Sequence, residues 1–260
     1  MRIDILTLFP GMFRGPFDES IIRRAVDQAI VSILVHDIRD YAEGRHRLVD
    51  DYPYGGGPGM VMKPEPIAAA LAAVAAQVAE RGPVVLLTPQ GRRFDQGVAR
   101  EYGAAARLTL LCGRYEGVDE RVRGLVSDEL SVGDFVLSGG EPAAILVVDA
   151  VVRLLPGALG STESLTEESY AAGLLEYPQY TRPPAFRGHE VPAILLSGNH
   201  QEVARWRRLQ SLLRTALRRP DLLAEARVTP AERAWLTQQL ADGALPNPPA
   251  PFPRREGREK

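Results

Sequence analysis

The stretch RLTLLCGRYEGVDER (residues 107–121) shows the pattern that decides the fold. It begins as an apolar run that predicts a buried strand, passes through Gly113 and a polar, aromatic turn, and ends in a predicted helix. Residues 83–97 repeat this order, with Pro89 and Gly91 forming a predicted turn after the strand. Short apolar strands that alternate with helices indicate a mostly parallel sheet covered by helices on both faces. We therefore predict an α/β fold.

Periodicity along the rest of the chain predicts the other elements. Apolar runs predict strands at residues 2–9, 31–38, 83–88, 107–112, 130–132 and 135–137. Spacings of three and four predict helices at residues 18–30, 66–80, 94–104, 118–126, 141–155, 199–219 and 230–241. Strand and helix alternate throughout the first part of the chain, whereas helices dominate the last part.

A change in composition near residue 160 predicts the domain organisation. Residues 1–159 form the predicted α/β domain, and the small, polar and acidic stretch 160–173 is predicted to be a flexible linker. Residues 174–242 are predicted to form a small helical domain. The tail at 243–260 is rich in proline and charge, which predicts disorder.

Composition and charge exclude several classes of protein. Of the 260 residues, 45% are hydrophobic and 25% are charged, which is typical of a globular chain. The net charge of −2 gives no general attraction to nucleic acid, so any RNA contact requires a local basic patch. Cys112 is the single cysteine, and the four histidines have no metal-ligand spacing. Because no apolar run is long enough to span a membrane, we expect a cytoplasmic protein.

Three glycine-containing turns suggest one binding crevice, because ligands bind beyond the carboxyl ends of parallel strands. These turns follow Thr88, Cys112 and the strand that precedes VGDFVLSGGEP (residues 132–142). Glu141 stands at a predicted helix N-terminus, where its charge disfavours a phosphate. The glycine-rich stretch YGGGPGM (residues 54–60) matches neither dinucleotide nor P-loop fingerprints. We therefore expect a nucleoside ligand.

Several residues allow two interpretations at this stage. Residues 54–60 are equally compatible with a flexible surface turn and with a loop that a ligand approaches closely. Arg153 ends an apolar helix, where it can satisfy the last carbonyls or serve a site. Cys112 is interpreted as a small buried hydrophobe. The arginine-rich helix 199–219 can be a solvated basic face or a contact with RNA.

Eight motifs occur in order along residues 1 to about 240. They are LFPGMF, DDYPYGGGPGM, LTPQGRRFDQG, LCGRYEGVDERV, SVGDFVLSGGE, DAVVRLLPGALG, GLLEYPQYTRP and SGNHQEVARWR. Together they resemble the bacterial tRNA (guanine-N(1)-)-methyltransferases. The resemblance implies a SPOUT-type α/β domain with a trefoil knot and a homodimer whose active site lies at the subunit interface. It further implies S-adenosylmethionine as methyl donor and, as acceptor, N1 of the guanosine 3′ of the tRNA anticodon (position 37), a modification that helps to keep the reading frame.

The resemblance also implies the roles of individual residues. Glu168 takes the place of the catalytic base, where the family usually has aspartate, and Arg153 matches the catalytic arginine. The resemblance also implies a requirement for Mg²⁺, with Glu116 and Glu168 as the candidate indirect partners. The donor pocket is expected to comprise Leu87, Thr88, Pro89, Gly113, Tyr115, Gly117, Val132, Gly133, Asp134, Phe135, Val136, Leu137, Gly139 and Gly140. The expected tRNA contacts are Arg205, Arg208, Arg214 and Arg218.

Two alternatives remain at the level of sequence. The glutamate at position 168 would suit a non-catalytic RNA-binding module with a vestigial nucleoside pocket, and it leaves the choice between Glu167 and Glu168 open. Another SPOUT methyltransferase, acting on a different RNA site, would share the same glycine turns.

Overall fold

The computed structural model describes residues 1–160 and 167–243. The chain divides into two compact units, Met1–Thr162 and Glu163–Lys260. Residues 161–166 of the predicted linker at 160–173 and nearly all of the predicted tail at 243–260 lie outside the described residues. In the part of the chain that is described, no helix is both long and apolar enough to cross a membrane.

The first unit contains a five-stranded sheet in which all neighbouring strands are parallel. The strands of this unit are β1 (Arg2–Thr7), β2 (Ser32–Asp37), β3 (Asp50–Asp51), β4 (Val61–Met62), β5 (Val84–Arg93), β6 (Arg107–Cys112) and β7 (Asp128–Ser131). The order in the main sheet is β2-β1-β6-β5-β7, while β3 and β4 form a separate antiparallel hairpin. Every residue of β6 is buried, as expected for a central strand that is covered on both faces.

Helices cover both faces of this sheet. The α-helices are α1 (Ser20–Asp27), α2 (Pro64–Ala75), α3 (Gln96–Gly103) and α4 (Glu141–Val152), and 3₁₀ helices span Pro10–Phe13, Ile38–Tyr41 and Glu120–Leu125. Leu110 belongs to the hydrophobic cluster that contains Val147 of α4, whereas Leu111 belongs to a second cluster with Ile67 of α2. Successive residues of β6 thus face opposite layers. The predicted α/β fold with a parallel sheet and helices on both faces is confirmed, and the trefoil knot stays a prediction.

Three predicted elements were wrong in detail. Strand β5 does not end at Thr88 but continues to Arg93 after a register shift, because Gly91 lies so close to β7 that an added Cβ would be 2.2 Å from the Leu130 nitrogen. The predicted strand 135–137 is an exposed turn instead. The Phe135 amide donates to the Gly133 carbonyl oxygen at 2.9 Å rather than to a neighbouring strand. The predicted helix 118–126 is a short 3₁₀ helix.

A buried ionic cluster joins three strands of the sheet. The Asp4 carboxylate in β1 is fully buried and contacts Arg2 at 2.8 Å, His36 of β2 at 2.9 Å and Arg107 of β6 at 3.0 Å. Burial alone would raise the pKa of Asp4, but hydrogen bonds from His36 and Arg2 and the charges of Arg2 and Arg107 outweigh it and lower that pKa to about 2. The ionised form of Asp4 therefore stabilises the folded chain.

The second unit is mainly helical in its described part. A short hairpin of β8 (Ala185–Phe186) and β9 (His189–Glu190) precedes a 3₁₀ helix at Ala193–Leu196, followed by α5 (His200–Arg218), α6 (Pro220–Glu225) and α7 (Pro230–Ala241). The Asn199 side chain caps α5 by accepting from the Glu202 amide, and Thr229 with Glu232 forms a capping box on α7. Leu212 and Leu236 are buried in this unit.

Lowering the pH is expected to remove the contribution of Asp4 to stability. Because the folded-state pKa of Asp4 is depressed, this contribution is present above pH 4 and is lost as the pH falls towards 2. It amounts to about 2 kcal/mol. Denaturant unfolding of the wild type and of Asp4→Asn, measured between pH 6 and pH 2, should show a stability difference that shrinks over this window. A difference that stays constant with pH would contradict the assignment.

Candidate active site

A cavity of about 420 Å³ lies where the carboxyl ends of β5, β6 and β7 meet. Its volume is in the range of small-molecule and cofactor sites. The described residues that line it include all of those predicted to form the donor pocket except Asp134, which is exposed. These residues are Leu87, Thr88, Pro89, Gly113, Tyr115, Gly117, Val132, Gly133, Phe135, Val136, Leu137, Gly139 and Gly140. The structure thus brings the three glycine-containing turns together at one edge of the sheet.

Two of these turns are held against each other by a close backbone contact. The Gly140 amide donates to the Gly113 carbonyl oxygen at 2.9 Å. A Cβ on residue 140 would lie 2.8 Å from the Cα of Cys112, so only glycine fits there without displacing the backbone. The Gly117 amide closes the intervening turn by donating to the Arg114 carbonyl oxygen at 3.0 Å.

A buried ion pair fixes the start of α4 beside the cavity. Glu141 is fully buried, and one of its carboxylate oxygens lies 2.9 Å from Nε of Arg114, with the geometry of an ion pair rather than of an aligned hydrogen bond. The Thr7 hydroxyl donates to the other oxygen at 2.7 Å. Arg114 also donates to the Ser138 carbonyl oxygen at 3.0 Å, and its guanidinium carbon lies 4.4 Å from the centre of the Phe9 ring.

This ion pair changes the reason for expecting a nucleoside. The sequence suggested that the charge of Glu141 would repel a phosphate, but Arg114 compensates that charge. The Gly140 amide stands at the helix start, where an amide can donate a hydrogen bond to a phosphate, but it already donates to the Gly113 carbonyl oxygen. At Gly140, an occupied amide rather than like charge therefore disfavours a phosphate. Sequence reasoning missed Arg114 and Thr7, although a glutamate beside an apolar helix start should have prompted a search for a buried cation.

Cys112 plays the structural part expected of it. Its side chain is fully buried, and burial followed by the nearby charge of Glu141 raises the pKa of the thiol well above its ordinary value. A thiol that stays protonated is a poor nucleophile. The residue therefore acts as a small hydrophobic group beneath the cavity.

The glycine-rich residues 54–60 lie in the hairpin between β3 and β4, at the border of the cavity. The Glu116 amide donates to the Met60 carbonyl oxygen at 3.0 Å, and the Met62 amide donates to the Gly117 carbonyl oxygen at 2.9 Å. A Cβ on Gly59 would lie 2.4 Å from a carboxylate oxygen of Glu116. The hairpin base therefore packs directly against a cavity-lining turn. Glu116 itself lines the cavity.

Arg153 is not among the described residues that line this cavity. It is the C-cap residue of α4, whose other end carries Gly140 and Glu141. A helix of this length separates its ends by about 18 Å. Within one chain, the predicted catalytic arginine and the predicted donor pocket therefore lie at opposite ends of α4.

In the second unit, both candidate bases lie next to each other, and contacts of Glu167 are defined. The Tyr177 hydroxyl donates to the Glu167 carboxylate, and Nη1 of Arg207 lies 3.6 Å from the same oxygen. The Arg207 guanidinium also lies 4.8 Å from the centre of the Tyr177 ring. Glu167 thus contacts Tyr177 and Arg207. Glu167 and Glu168 both line a second cavity, of about 200 Å³, and the Glu168 carbonyl oxygen accepts from the Ala171 amide at 3.1 Å.

The four arginines predicted to contact tRNA have different surroundings. Arg205 and Arg218 are exposed on α5. Arg208 pairs with Glu232 at 2.8 Å and donates to the Arg227 carbonyl oxygen at 2.6 Å, so it joins α5 to the region of α7. Arg214 is partly buried, and burial followed by the charge of Arg218 lowers its pKa. Arg205 and Arg218 are the two that present charge most openly to a phosphate.

No metal cluster accompanies these residues within residues 1–160 and 167–243. No group of three or more histidine, cysteine, aspartate or glutamate side chains in that part of the chain is arranged to hold a metal ion. The Mg²⁺ implied by the resemblance stays a prediction, and so do its candidate partners Glu116 and Glu168.

The fold and the cavity together define a class of protein. A parallel α/β sheet whose carboxyl edge holds a cofactor-sized cavity between glycine turns is typical of enzymes that bind nucleoside-containing ligands. The occupied amide of Gly140 at the start of α4 favours ligands without a phosphate at this position.

Comparison with known proteins identifies the family. The family described as "tRNA (Guanine-1)-methyltransferase TrmD" matches residues 1–225. A tRNA (guanine-N(1)-)-methyltransferase of Geobacter sulfurreducens is 57% identical over 244 residues, covering 94% of this chain and 99% of the relative. The corresponding protein of Chloroflexus aggregans is 58% identical over 248 residues, with 94% and 97% covered. The chain belongs to the tRNA (guanine-1)-methyltransferase family, so the resemblance seen in its motifs is confirmed.

Proposed function

We propose that this chain transfers a methyl group from S-adenosylmethionine to N1 of guanosine 37 of tRNA and thereby helps to keep the reading frame. The observation that carries the proposal is the family match over residues 1–225 in a chain whose three glycine turns enclose one cavity. A tRNA-modifying enzyme of this kind is expected to work in the cytoplasm.

The cavity suits the donor in size and chemistry. S-adenosylmethionine is a nucleoside with an amino-acid chain and no phosphate, and it supplies an electrophilic methyl group on a sulfonium when bound. The glycine turns place main chain along the wall of the cavity, and the side chains of Leu87, Val132 and Leu137 offer apolar surface. This mixture of apolar walls and a few oriented polar groups is typical of cofactor sites.

The acceptor requires a base and a positive group. Neutral guanine carries a proton on N1, and that proton must leave as the bond from N1 to the methyl carbon forms. In the proposal, the Glu168 carboxylate accepts this proton, and the electrons of the breaking carbon–sulfur bond remain on sulfur. Negative charge then develops on O6 of the base, where the Arg153 guanidinium stabilises it. Glu167, whose carboxylate contacts Tyr177 and Arg207, is the alternative candidate for the base.

A homodimer would resolve the separation of Arg153 from the cavity. The two ends of α4 lie about 18 Å apart, too far for Arg153 to contact a base beside the methyl group bound in the same chain. A second copy of the chain could supply its own Arg153 to the cavity. We therefore place the active site at the interface of a symmetric dimer, with each site built from two chains.

Mg²⁺ is retained as a requirement of the proposed reaction, and Glu116 is a residue proposed to help hold it. One carboxylate does not provide the set of oxygen ligands that Mg²⁺ prefers. The remaining ligands would have to come from substrate or water, and no step of the reaction is assigned to the metal.

Methyl transfer to two unmodified tRNA transcripts tests the proposed activity. One transcript carries guanosine at position 37, and the other carries adenosine there. Label from S-adenosylmethionine should enter the first transcript alone. Label in both would retain the class of enzyme but reject the site. Label in neither, with donor binding intact and Mg²⁺ supplied, would favour the non-catalytic RNA-binding alternative.

Substitution of the two neighbouring glutamates tests the choice of base. Glu168→Gln removes the proton acceptor, so single-turnover methyl transfer should fall by about 10²–10⁴-fold with donor affinity unchanged. Glu167→Gln is the matched control, and it should retain most of the rate while weakening the contact with Tyr177 and Arg207. A large loss in Glu167→Gln alone would transfer the role to that residue.

Mixing two inactive variants tests the shared site. Gly140→Val should abolish donor binding because its side chain meets the backbone of Cys112 and Gly113, and Arg153→Ala should bind donor but not turn over. Calorimetry checks each variant, with Gly124→Ala as a folded control whose Cβ meets no described neighbour. Randomly reassorted dimers should recover roughly a quarter of the wild-type activity, since one site in each mixed dimer is complete. No recovery in dimers shown to have reassorted would reject the shared site.

A further inference from the structure

Two exposed tyrosines stand on the glycine-rich hairpin loop that connects β3 and β4. Tyr52 is 78% exposed and Tyr54 is fully exposed, although exposing an aromatic ring to water costs free energy. They are two residues apart within the loop at 52–60, so they form one feature rather than scattered surface groups. Neither ring has been assigned a part in donor binding or in proton transfer above.

The base of this hairpin lies at the cavity. Backbone hydrogen bonds join Met60 and Met62 to the turn at Glu116 and Gly117, both of which line the cavity. The tyrosines are therefore carried by a loop whose two ends are anchored beside the proposed donor site. A substrate bound at this side of the cavity has this loop as a neighbour.

The loop itself leaves room around the rings. Gly55, Gly56 and Gly57 all have positive φ angles, and an added Cβ at any of them would meet nothing within 4 Å among the described residues. The turn is closed by a single backbone bond from the Gly56 amide to the Pro53 carbonyl oxygen at 3.2 Å. Such a loop can adjust the rings to a ligand at low steric cost.

We propose that Tyr54, assisted by Tyr52, stacks on unpaired bases of the tRNA that flank the target guanosine. The proposal rests on the function proposed above. A methyltransferase that acts on N1 must free the Watson–Crick edge of its target, and a base drawn into a pocket leaves its neighbours without a stacking partner. Exposed aromatic rings are the usual protein replacement for such a partner in single-stranded RNA.

The charges around the loop are mixed, so the position of the loop beside the cavity is what favours RNA. Arg121 is 72% exposed and pairs with Asp119 at 2.8 Å, and Arg47 pairs with Asp40 at 2.7 Å. The exposed segment at 43–48, which precedes the hairpin, also carries Arg45 and His46. Basic side chains beside exposed aromatic rings suit a phosphate backbone with accessible bases. A second copy of the chain is the other surface that could cover these rings, and the experiment distinguishes contact with RNA from contact with that copy.

A matched pair of variants isolates stacking from simple hydrophobic contact. Tyr54→Phe keeps an aromatic ring, whereas Tyr54→Leu keeps apolar bulk without one. The probe is a tRNA transcript with guanosine 37 and 2-aminopurine at position 38, whose fluorescence is quenched by stacking. Tyr54→Leu should raise the Kd and KM for tRNA by about 5- to 100-fold and reduce the change in fluorescence, with the Kd for S-adenosylmethionine unchanged. Tyr54→Phe should behave like the wild type.

Three results decide the matter. Wild-type tRNA affinity in Tyr54→Leu would overturn the proposal. A loss of dimer in Tyr54→Leu, seen by sedimentation, would also overturn the proposal if tRNA affinity returns at protein concentrations that restore the dimer. The ring would then contact the second copy of the chain. Weakened RNA binding in Tyr54→Leu together with no methyl transfer by the wild type would uphold the stacking contact and overturn the proposed function alone.

Discussion

The buried ion pair of Arg114 and Glu141 is the interaction on which the arrangement of the cavity depends. Removing a charge from water costs several kcal/mol, so neither side chain could remain in its place without the other. The pair joins the turn after β6 to the start of α4, and through Thr7 and Phe9 it also includes the end of β1. Three segments that are far apart in sequence are thereby held at one edge of the sheet.

The class of fold could be predicted from local sequence, because short apolar runs and glycine turns are local signals. Features that depend on a neighbouring strand could not. Strand β5 continues to Arg93 because Gly91 passes against the backbone of β7, a contact between residues about forty positions apart. The stretch at 135–137 has a typical strand composition, yet no strand of the sheet pairs with it among the described residues.

The site was predictable to a similar extent. Glycines at turns after strands pointed to the cavity, since the carboxyl ends of parallel strands converge whatever the details. The ion pair escaped prediction because its partners are 27 residues apart and nothing local links them. The same holds for Arg208, which looked like a phosphate ligand but pairs with Glu232. The contact of Glu167 with Tyr177 could not be predicted either, because Tyr177 lies beyond the predicted linker.

The burial of Cys112 has a practical chemical consequence. The chain has one thiol, which lies beneath the contact of Gly140 with the sheet and remains protonated. Alkylating agents and oxidants act on the exposed thiolate, so the native chain should be inert to them. Thiol labelling would then report opening of the sheet at the end of β6. A cysteine introduced on the surface would be the sole reactive position on the folded protein, ready to carry a spectroscopic label.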